Sequence, residues 1–139
     1  MTVKIDNNDH ALATEVLNSR YVLKDASGNI IETPEQMYWR VATFIAAVEK
    51  KYGACDSEIN QLAEKFYKLM ANGLFLPNSP TLMNAGRENA MLSACFVIPV
   101  GDSIADIFEA VRVTALVQKG GGGTGFTFDK LRPLSLIHI

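Results

Sequence analysis

The chain has 139 residues, a formal net charge of −2 and a composition that is 48% hydrophobic and 20% charged, which is typical of a folded domain. It contains no apolar run of about 18 residues and no apolar N-terminal segment, so we expect neither a transmembrane helix nor a secretory signal. The near-neutral charge argues against binding to nucleic acid or to a membrane surface, because both need a basic face. Two cysteines are too few for a disulfide framework, and we expect a cytoplasmic protein.

The first half of the chain has the pattern of consecutive helices. We predict a short helix over residues 10–19, a small hairpin over residues 21–31, and a helix that begins at the capping signal of residues 33–36 and ends at Gly53. Another helix is predicted to start after Asp56 and Ser57 and to stop at Gly73. Residues 74–81 contain two prolines and are predicted not to be helical.

The second half alternates between strand and helix. Residues 92–98 form a short apolar run bounded by turn signals, which predicts a buried strand. Asp102 and Ser103 are placed to cap a helix over residues 103–119, and residues 126–128 predict a second strand. Helices followed by strand, helix and strand indicate a fold class between α+β and α/β, with a helical N-terminal part.

Five glycines occupy the six positions from 120 to 125. The run matches the dinucleotide-binding pattern G-x-G-x-x-G in letters only, because it follows a predicted helix and precedes a strand, which is the reverse of the required order. Two interpretations remain open. The run is either a flexible linker or a stretch of bare backbone that a ligand approaches closely.

The two cysteines have ordinary interpretations when they are judged from their neighbours alone. Cys95 lies in the apolar run and is expected to be buried and inert, since free cysteine is among the most buried residue types. Cys55 precedes a helix and has no partner at C-x-x-C or metal-ligand spacing, so we expect a structural role and no metal site. Judged in the same way, Asp102 is a helix cap and Arg132 is a solvated charge. The two histidines, His10 and His138, are expected to have no special role.

Four segments together carry a family resemblance. They are residues 76–86 (Leu-Pro-Asn-Ser-Pro-Thr-Leu-Met-Asn-Ala-Gly), 92–97 (Leu-Ser-Ala-Cys-Phe-Val), 102–104 (Asp-Ser-Ile) and 121–126 (Gly-Gly-Gly-Thr-Gly-Phe). Their order and spacing resemble those of ribonucleotide reductase large chains. The Asn-Ser-Pro-Thr and Gly-Gly-Gly-Thr-Gly-Phe versions, and residues 20–34, are similar to class II, the adenosylcobalamin-dependent reductases.

The resemblance implies a domain organisation and a partial chain. A helical N-terminal domain would occupy residues 1–75, and residues 76–133 would be the first strand-helix-strand elements of an incomplete ten-stranded α/β barrel. Residues 134–139 depart from the family pattern and are expected to be a non-native tail. We therefore expect an N-terminal fragment that is inactive by itself, because the radical-forming cysteine and the cobalamin pocket lie farther along in such reductases.

The resemblance also implies catalytic and substrate-binding residues. Cys95 matches one cysteine of the redox pair that supplies the electrons for replacing the ribose 2′-hydroxyl, and its partner lies outside this chain. Five residues match positions that contact the ribonucleotide through side chains or bare backbone: Asn78, Ser79, Ala94, Gly122 and Gly123.

A regulatory site and a dimer surface are implied as well. Asp102, Ser103 and Ile104 match one wall of a site for a deoxynucleotide or ATP effector, in which Arg132 would meet the phosphates. The helix over residues 103–119 resembles a dimer-interface helix, although its apolar face fits ordinary core packing equally well.

The implied activity is the reduction of ribonucleoside diphosphates to 2′-deoxyribonucleotides by thiyl-radical chemistry, with adenosylcobalamin as cofactor and a thioredoxin-like protein as reductant. Two alternatives stay open. The chain is a piece of a class I large subunit, which uses a separate metal-bearing radical subunit, or it is a stand-alone nucleotide-binding regulatory module.

Overall fold

The structure is a computed structural model that describes residues 7–88 and 91–133. The chain divides into two compact units, Met1–Leu92 and Ser93–Ile139. This division comes later than the predicted domain boundary between residues 75 and 76, because the helix that follows that boundary packs in the first unit. The predicted non-native tail, residues 134–139, lies outside the described residues. Among the described residues, no helix is both long and apolar enough to cross a membrane.

Helix α1, Asn7–Arg20, opens the first unit and extends the helix predicted over residues 10–19 at both ends. The predicted hairpin is reduced to a single antiparallel bridge between Lys24 and Ile30. Its turn is held by Asp25, whose Oδ1 accepts hydrogen bonds of 2.9 Å from the backbone amides of Ser27 and Asn29. A turn of this kind is stabilised by its own side chain and needs no long strands.

Helix α2, Pro34–Ala46, starts at the predicted capping box. Thr33 Oγ1 accepts from the Gln36 amide at 3.2 Å, and Gln36 Oε1 accepts from the Thr33 amide at 2.8 Å. The helix continues as a 3₁₀ helix, Ala47–Tyr52, and ends at Gly53, which has a φ of 92°. The predicted helix is thus confirmed, with a tighter last part.

Helix α3, Asp56–Ala71, packs along α2 and also confirms its prediction. The edge of the Trp39 ring meets the Tyr67 ring across this pair, with centroids 5.2 Å apart. The apolar core cluster of the first unit draws on α2, α3 and other segments of that unit: Val22, Met37, Val41, Ala42, Met70, Leu82 and Ala85.

A short helix, α4, spans Ser79–Asn84 and corrects the prediction that residues 74–81 are not helical. Asn78 is its N-cap, and Pro80 lies in its first turn. Proline is tolerated there because the first amides of a helix have no intrahelical partner to lose. The prediction applied a rule for helix interiors to a helix start.

The second unit is a β-α-β element. Strand β1, Cys95–Pro99, and strand β2, Gly123–Thr127, pair in parallel and are joined by helix α5, Ile104–Lys119. Both strands differ from their predictions, since β1 begins at Cys95 rather than residue 92 and β2 begins inside the glycine run. The predicted burial of β1 is wrong for most of its length, because only Ile98 of this strand is buried. A small core joins it to Val100 and Ala110.

Candidate functional site

The Asn-Ser-Pro-Thr segment is organised by the start of α4. Asn78 Oδ1 accepts a hydrogen bond of 2.9 Å from the Thr81 amide and so caps the helix. Ser79 follows as the first helical residue, and its Oγ lies 3.2 Å from the Tyr21 hydroxyl. Asn78 and Ser79 are both exposed. The structure therefore gives Asn78 a capping role that the sequence-based assignment to substrate binding did not include.

A buried ion pair holds the other end of α4. The Glu32 carboxylate accepts from Arg40 Nε at 2.7 Å and from Arg40 Nη2 at 2.9 Å, and it also accepts from the Leu23 amide. The same guanidinium donates to the carbonyls of Leu82, at 3.3 Å, and Ala85. Arg40 thus ties α2 to the last carbonyls of α4 and fixes the helix that carries Ser79.

This ion pair was missed in the sequence. Glu32 and Arg40 are eight residues apart, and the carbonyls that Arg40 binds lie more than 40 residues farther along the chain. Neither separation has a local signature. The only signal was the presence of two charged residues beside apolar helix positions, which is common on ordinary surfaces.

Two side chains of α4 hold the segment that leads out of the first unit. Thr81 Oγ1 donates to the Leu92 carbonyl at 3.1 Å, and Asn84 Nδ2 donates to the Met91 carbonyl at 2.8 Å. Thr81 is buried, which makes its hydrogen bond costly to lose. The polar residues of this motif are therefore partly occupied with local structure.

Four of the predicted residues lie at the amino ends of the two strands of the second unit: Ala94, Cys95, Gly122 and Gly123. Cys95 is paired with Gly123 in the parallel register, and the Gly123 amide donates to the Ala94 carbonyl at 2.7 Å. A Cβ atom on Gly123 would lie 3.7 Å from Cys95 Sγ and 3.6 Å from the Ala94 oxygen. These are ordinary contact distances, so the described residues alone do not require a glycine. Its bareness keeps the face beside the thiol open.

The glycine run is ordered and is not a flexible linker. The Gly121 amide donates to the Gln118 carbonyl at 2.9 Å, and the Gly122 amide donates to the Val117 carbonyl at 3.0 Å. With Gly121 at a φ of 87°, this is a Schellman motif that ends α5. Gly122 is buried, and Gly123 begins β2. The run therefore joins a helix end to the strand beside Cys95.

Both cysteines are exposed, and only Cys95 departs from its expectation. Cys95 is free and exposed, which corrects the expectation of a buried inert side chain. The error came from the predicted strand, whose apolar residues Leu92 and Ala94 lie before β1 starts. Cys55 is also exposed, and it caps α3 while its amide donates to Glu58 at 2.8 Å, in agreement with a structural role.

The predicted effector residues lie at the opposite end of the same two strands. Asp102 follows β1, Arg132 follows β2, and Arg132 Nε donates to Asp102 Oδ2 at 2.5 Å. Hydrogen bonds from the Arg132 amide and then from its guanidinium hold the pKa of the Asp102 carboxyl below its usual value. Ser103 caps α5 through the Asp106 amide at 3.0 Å, and Ile104 is exposed.

The four effector residues thus form one group, which a strand of five residues separates from the Cys95 group by about 16 Å. Asn78 and Ser79 belong to the first unit.

Similarity to known proteins agrees with this arrangement. The profile of the ribonucleotide reductase all-alpha domain matches residues 8–90, and the profile of the ribonucleotide reductase barrel domain matches residues 93–137. The two matches meet where the structure divides into its two units.

Three relatives illustrate the similarity. A vitamin B12-dependent ribonucleoside-diphosphate reductase of Thermoplasma acidophilum is 38% identical, over 96% of this chain and 24% of that protein. The reductase of the same name from Mycobacterium tuberculosis is 43% identical, over 87% of this chain and 17% of its own length. The ribonucleoside-diphosphate reductase subunit alpha of Helicobacter pylori is 35% identical, over 88% and 15%.

The chain spans about a quarter or less of these relatives. The domain matches together cover most of its length, and their order is that of its two structural units. The chain therefore belongs to the ribonucleotide reductase family, of which it carries the all-alpha domain and part of the barrel domain.

Proposed function

We propose that this chain is part of a vitamin B12-dependent reductase that converts ribonucleoside diphosphates to 2′-deoxyribonucleotides. One observation carries the proposal: an exposed thiol, Cys95, lies beside the bare backbone of Gly123 in a chain of this family. Redox chemistry on a substrate requires a thiol that the substrate and a reductant can both reach. The names of the Thermoplasma acidophilum and Mycobacterium tuberculosis relatives support the same substrate class.

Cys95 would supply half of the reducing equivalents. In the overall reaction two thiols lose two electrons and two protons, the ribose 2′-hydroxyl leaves as water, hydrogen takes its place, and the thiols become a disulfide. Exchange with a thioredoxin-like dithiol then restores both thiols. Cys55 is not proposed as the second thiol, because it stands in none of the segments that carry the family resemblance. The resemblance implies that the second thiol belongs to sequence beyond this chain.

Adenosylcobalamin would supply the radical that generates the catalytic thiyl. We assign none of the described residues to the cofactor, since neither unit presents a group that requires it. Because the thiols must be reduced again after each turnover, we place the reductase in the cytoplasm, where thiols are kept reduced.

Each unit would contribute substrate contacts of its own. In the first unit these are Asn78 and Ser79 at the start of α4. In the second unit they are Ala94, which precedes Cys95, and Gly122 and Gly123, of which Gly123 is the strand partner of Cys95. Bare backbone lets a nucleotide approach the thiol closely.

Asp102, Ser103, Ile104 and Arg132 would form one wall of an effector site for ATP or a deoxynucleotide. Support comes from their grouping at one end of the strands. Since Arg132 already donates to Asp102, an effector that binds the guanidinium through phosphate would share it with this carboxylate.

Helix α5 would form a homodimer interface. Its exposed apolar residues lie mostly along one face: Ile104, Ile107, Phe108, Val111 and Leu116. A contiguous apolar surface of this kind is typical of a protein interface.

The test is Cys95→Ser in the full-length reductase, with Cys55→Ser as the matched control. We expect Cys95→Ser to abolish multiple turnover with a dithiol reductant and to leave ribonucleotide binding nearly unchanged, whereas Cys55→Ser keeps its activity. Deoxyribonucleotide formation and equilibrium binding are measured on the same preparations. Sustained multiple turnover by Cys95→Ser would contradict the redox assignment.

A further inference from the structure

We propose that Arg40 is a positioning residue for the ribonucleotide substrate. It acts through α4, because it holds the end of this helix that lies opposite to Asn78 and Ser79, and Gly86 leaves the space that its side chain needs. The inference deepens the proposed function and rests on it for the identity of the ligand. The family resemblance gives a role to neither Arg40 nor Gly86.

Helix α4 is too short to fix its own orientation. It has six residues, and isolated helices of this length are unstable in water. Asn78 caps its first turn, but its last carbonyls have no partner inside the helix. The position of α4 therefore depends on the groups that hold its last turn.

Arg40 holds that turn with a guanidinium that is itself fixed in place. The guanidinium donates to the carbonyls of Leu82, at 3.3 Å, and Ala85. Its Nε and Nη2 also donate to the Glu32 carboxylate at 2.7 and 2.9 Å, and this carboxylate accepts from the Leu23 amide. The side chains of Arg40 and Glu32 are only 13% and 6% exposed. A planar guanidinium makes all these contacts at once, whereas the single ammonium group of a lysine cannot reproduce their geometry.

The stem of the Arg40 side chain passes close to Gly86, just beyond the end of α4. A Cβ atom on Gly86 would lie 3.0 Å from Arg40 Cγ, which is closer than an ordinary van der Waals contact. Gly86 also has a φ of 80°, in a region that other residues rarely adopt. At Gly53, which has a φ of 92°, a Cβ atom would meet nothing within 4 Å. The two glycines share a backbone requirement, but of the two only Gly86 adjoins Arg40.

The start of α4 carries the proposed substrate contacts of the first unit. Asn78 and Ser79 are exposed and therefore available to a ligand. A helix of six residues is about 9 Å long and moves as one unit, so a tilt at its last turn displaces both residues. Groups that contact a substrate are effective only within a narrow range of positions. The buried ion pair therefore controls the affinity for the ribonucleotide as well as the stability of the fold.

The experiment uses the full-length reductase and its variants Arg40→Lys, Gly86→Ala and the double variant. Gly53→Ala is the control for the left-handed backbone. Ala63→Gly is the control for lost stability, because Ala63 is buried in α3 but lies outside the core cluster that α4 joins. Equilibrium dialysis measures the Kd of a ribonucleoside diphosphate, and steady-state kinetics give KM, kcat and the half-saturating concentration of a deoxynucleotide effector. Thermal melting and hydrogen exchange of the α4 amides are measured on the same preparations.

We expect Arg40→Lys and Gly86→Ala to raise the Kd and KM of the diphosphate about threefold to tenfold, the usual effect of weakening a hydrogen bond to a ligand. The α4 amides should exchange faster in both variants, while kcat and the effector concentration stay close to wild type. Because both changes act through the same contact, the double variant should match the weaker-binding single variant. Gly53→Ala and Ala63→Gly should lower the melting temperature and leave Kd and KM unchanged.

An unchanged diphosphate Kd in Arg40→Lys and Gly86→Ala would overturn the positioning role, as would an equal rise in Ala63→Gly. Effects that multiply in the double variant would refute a shared route through Arg40. If Arg40→Lys fails to fold, the comparison of Gly86→Ala with Gly53→Ala decides the question. A wild-type enzyme that binds the diphosphate but never reduces it would contradict the proposed function instead, while Kd and hydrogen exchange still decide the role of Arg40.

Discussion

The space beside Cys95 is open because its strand partner, Gly123, has no side chain. Gly123 faces the thiol across the parallel strands, and a methyl group there would lie 3.7 Å from Sγ without clashing with the described residues. Gly123 has no positive φ, so alanine fits its backbone. The folding of this unit therefore does not require a glycine at this position, which agrees with the proposed role of Gly123 in access to the thiol.

Gly123→Ala should leave folding intact and lower kcat/KM about tenfold or more in the full-length reductase, because the methyl group displaces the substrate from the thiol. Gly125→Ala is the matched control, since a Cβ there meets nothing within 4 Å. Steady-state kinetics and thermal melting check both variants. Equal kinetics for the two would contradict the proposed role of Gly123.

The Asp102–Arg132 pair makes a prediction about pH. The pKa of the Asp102 carboxyl is lowered from 3.8 in the folded chain, so the contact is complete above that value and is lost as the pH falls through the folded pKa. In Arg132→Gln the pKa of Asp102 should rise toward 3.8, because the guanidinium is removed, although the backbone amide remains. A carboxyl titration by NMR measures this shift, and an unchanged Asp102 pKa would refute the contact.

At the scale of elements, α4 depends on the buried Glu32–Arg40 pair. The side chains of Arg40 and Glu32 are only 13% and 6% exposed. Because removing one partner leaves a buried charge, Arg40→Ala should lower the free energy of unfolding by about 3–5 kcal/mol. Arg112→Ala, which breaks the exposed pair with Glu109, should cost less than about 1 kcal/mol.

Denaturant unfolding of both variants tests this account. Similar losses for Arg40→Ala and Arg112→Ala would mean that the buried pair does not hold α4.

The elements that were predicted well have local signals at their ends. Thr33 and Gln36 mark the start of α2, Ser103 marks the start of α5, and Gly53 marks a helix end through its left-handed backbone. Each signal lies within one helical turn of the boundary that it defines, so the boundary can be predicted from neighbouring residues alone. The helix α4 was missed because the sequence alone does not distinguish a proline in the first turn of a helix, such as Pro80, from a proline that ends a helix.

The geometry of the candidate site was beyond local signals. Tyr21 and Ser79 are 58 residues apart, and Asp102 and Arg132 are 30 residues apart. Such pairs depend on how elements pack. The family motifs supplied the names of Ser79, Asp102 and Arg132, but they gave neither the pairing of Asp102 with Arg132 nor the role of Arg40.

At the scale of the whole molecule, the exposed apolar face of α5 is the surface proposed for assembly. Phe108 on this face is 67% exposed. If α5 forms the proposed interface, Phe108→Asp in the full-length reductase should convert a dimer to a monomer, because a charge cannot be desolvated in an apolar contact without a partner.

Tyr52→Asp, at a 79% exposed aromatic residue of the other unit, is the control and should leave the mass unchanged. Size-exclusion chromatography with light scattering measures both variants. A Phe108→Asp protein with the wild-type mass would exclude α5 from the interface.

We propose that this chain belongs to a reductase whose radical comes from adenosylcobalamin. The chain matches relatives named for vitamin B12 and also a relative named subunit alpha. An adenosylcobalamin enzyme and an enzyme with a separate metal-bearing subunit differ in what must be added for turnover. The most direct measurement is deoxyribonucleotide formation by the purified full-length protein, given a ribonucleoside diphosphate, a dithiol and adenosylcobalamin. We predict multiple turnover without any second protein. Product that forms only after a separate metal-bearing subunit is added would contradict the claim.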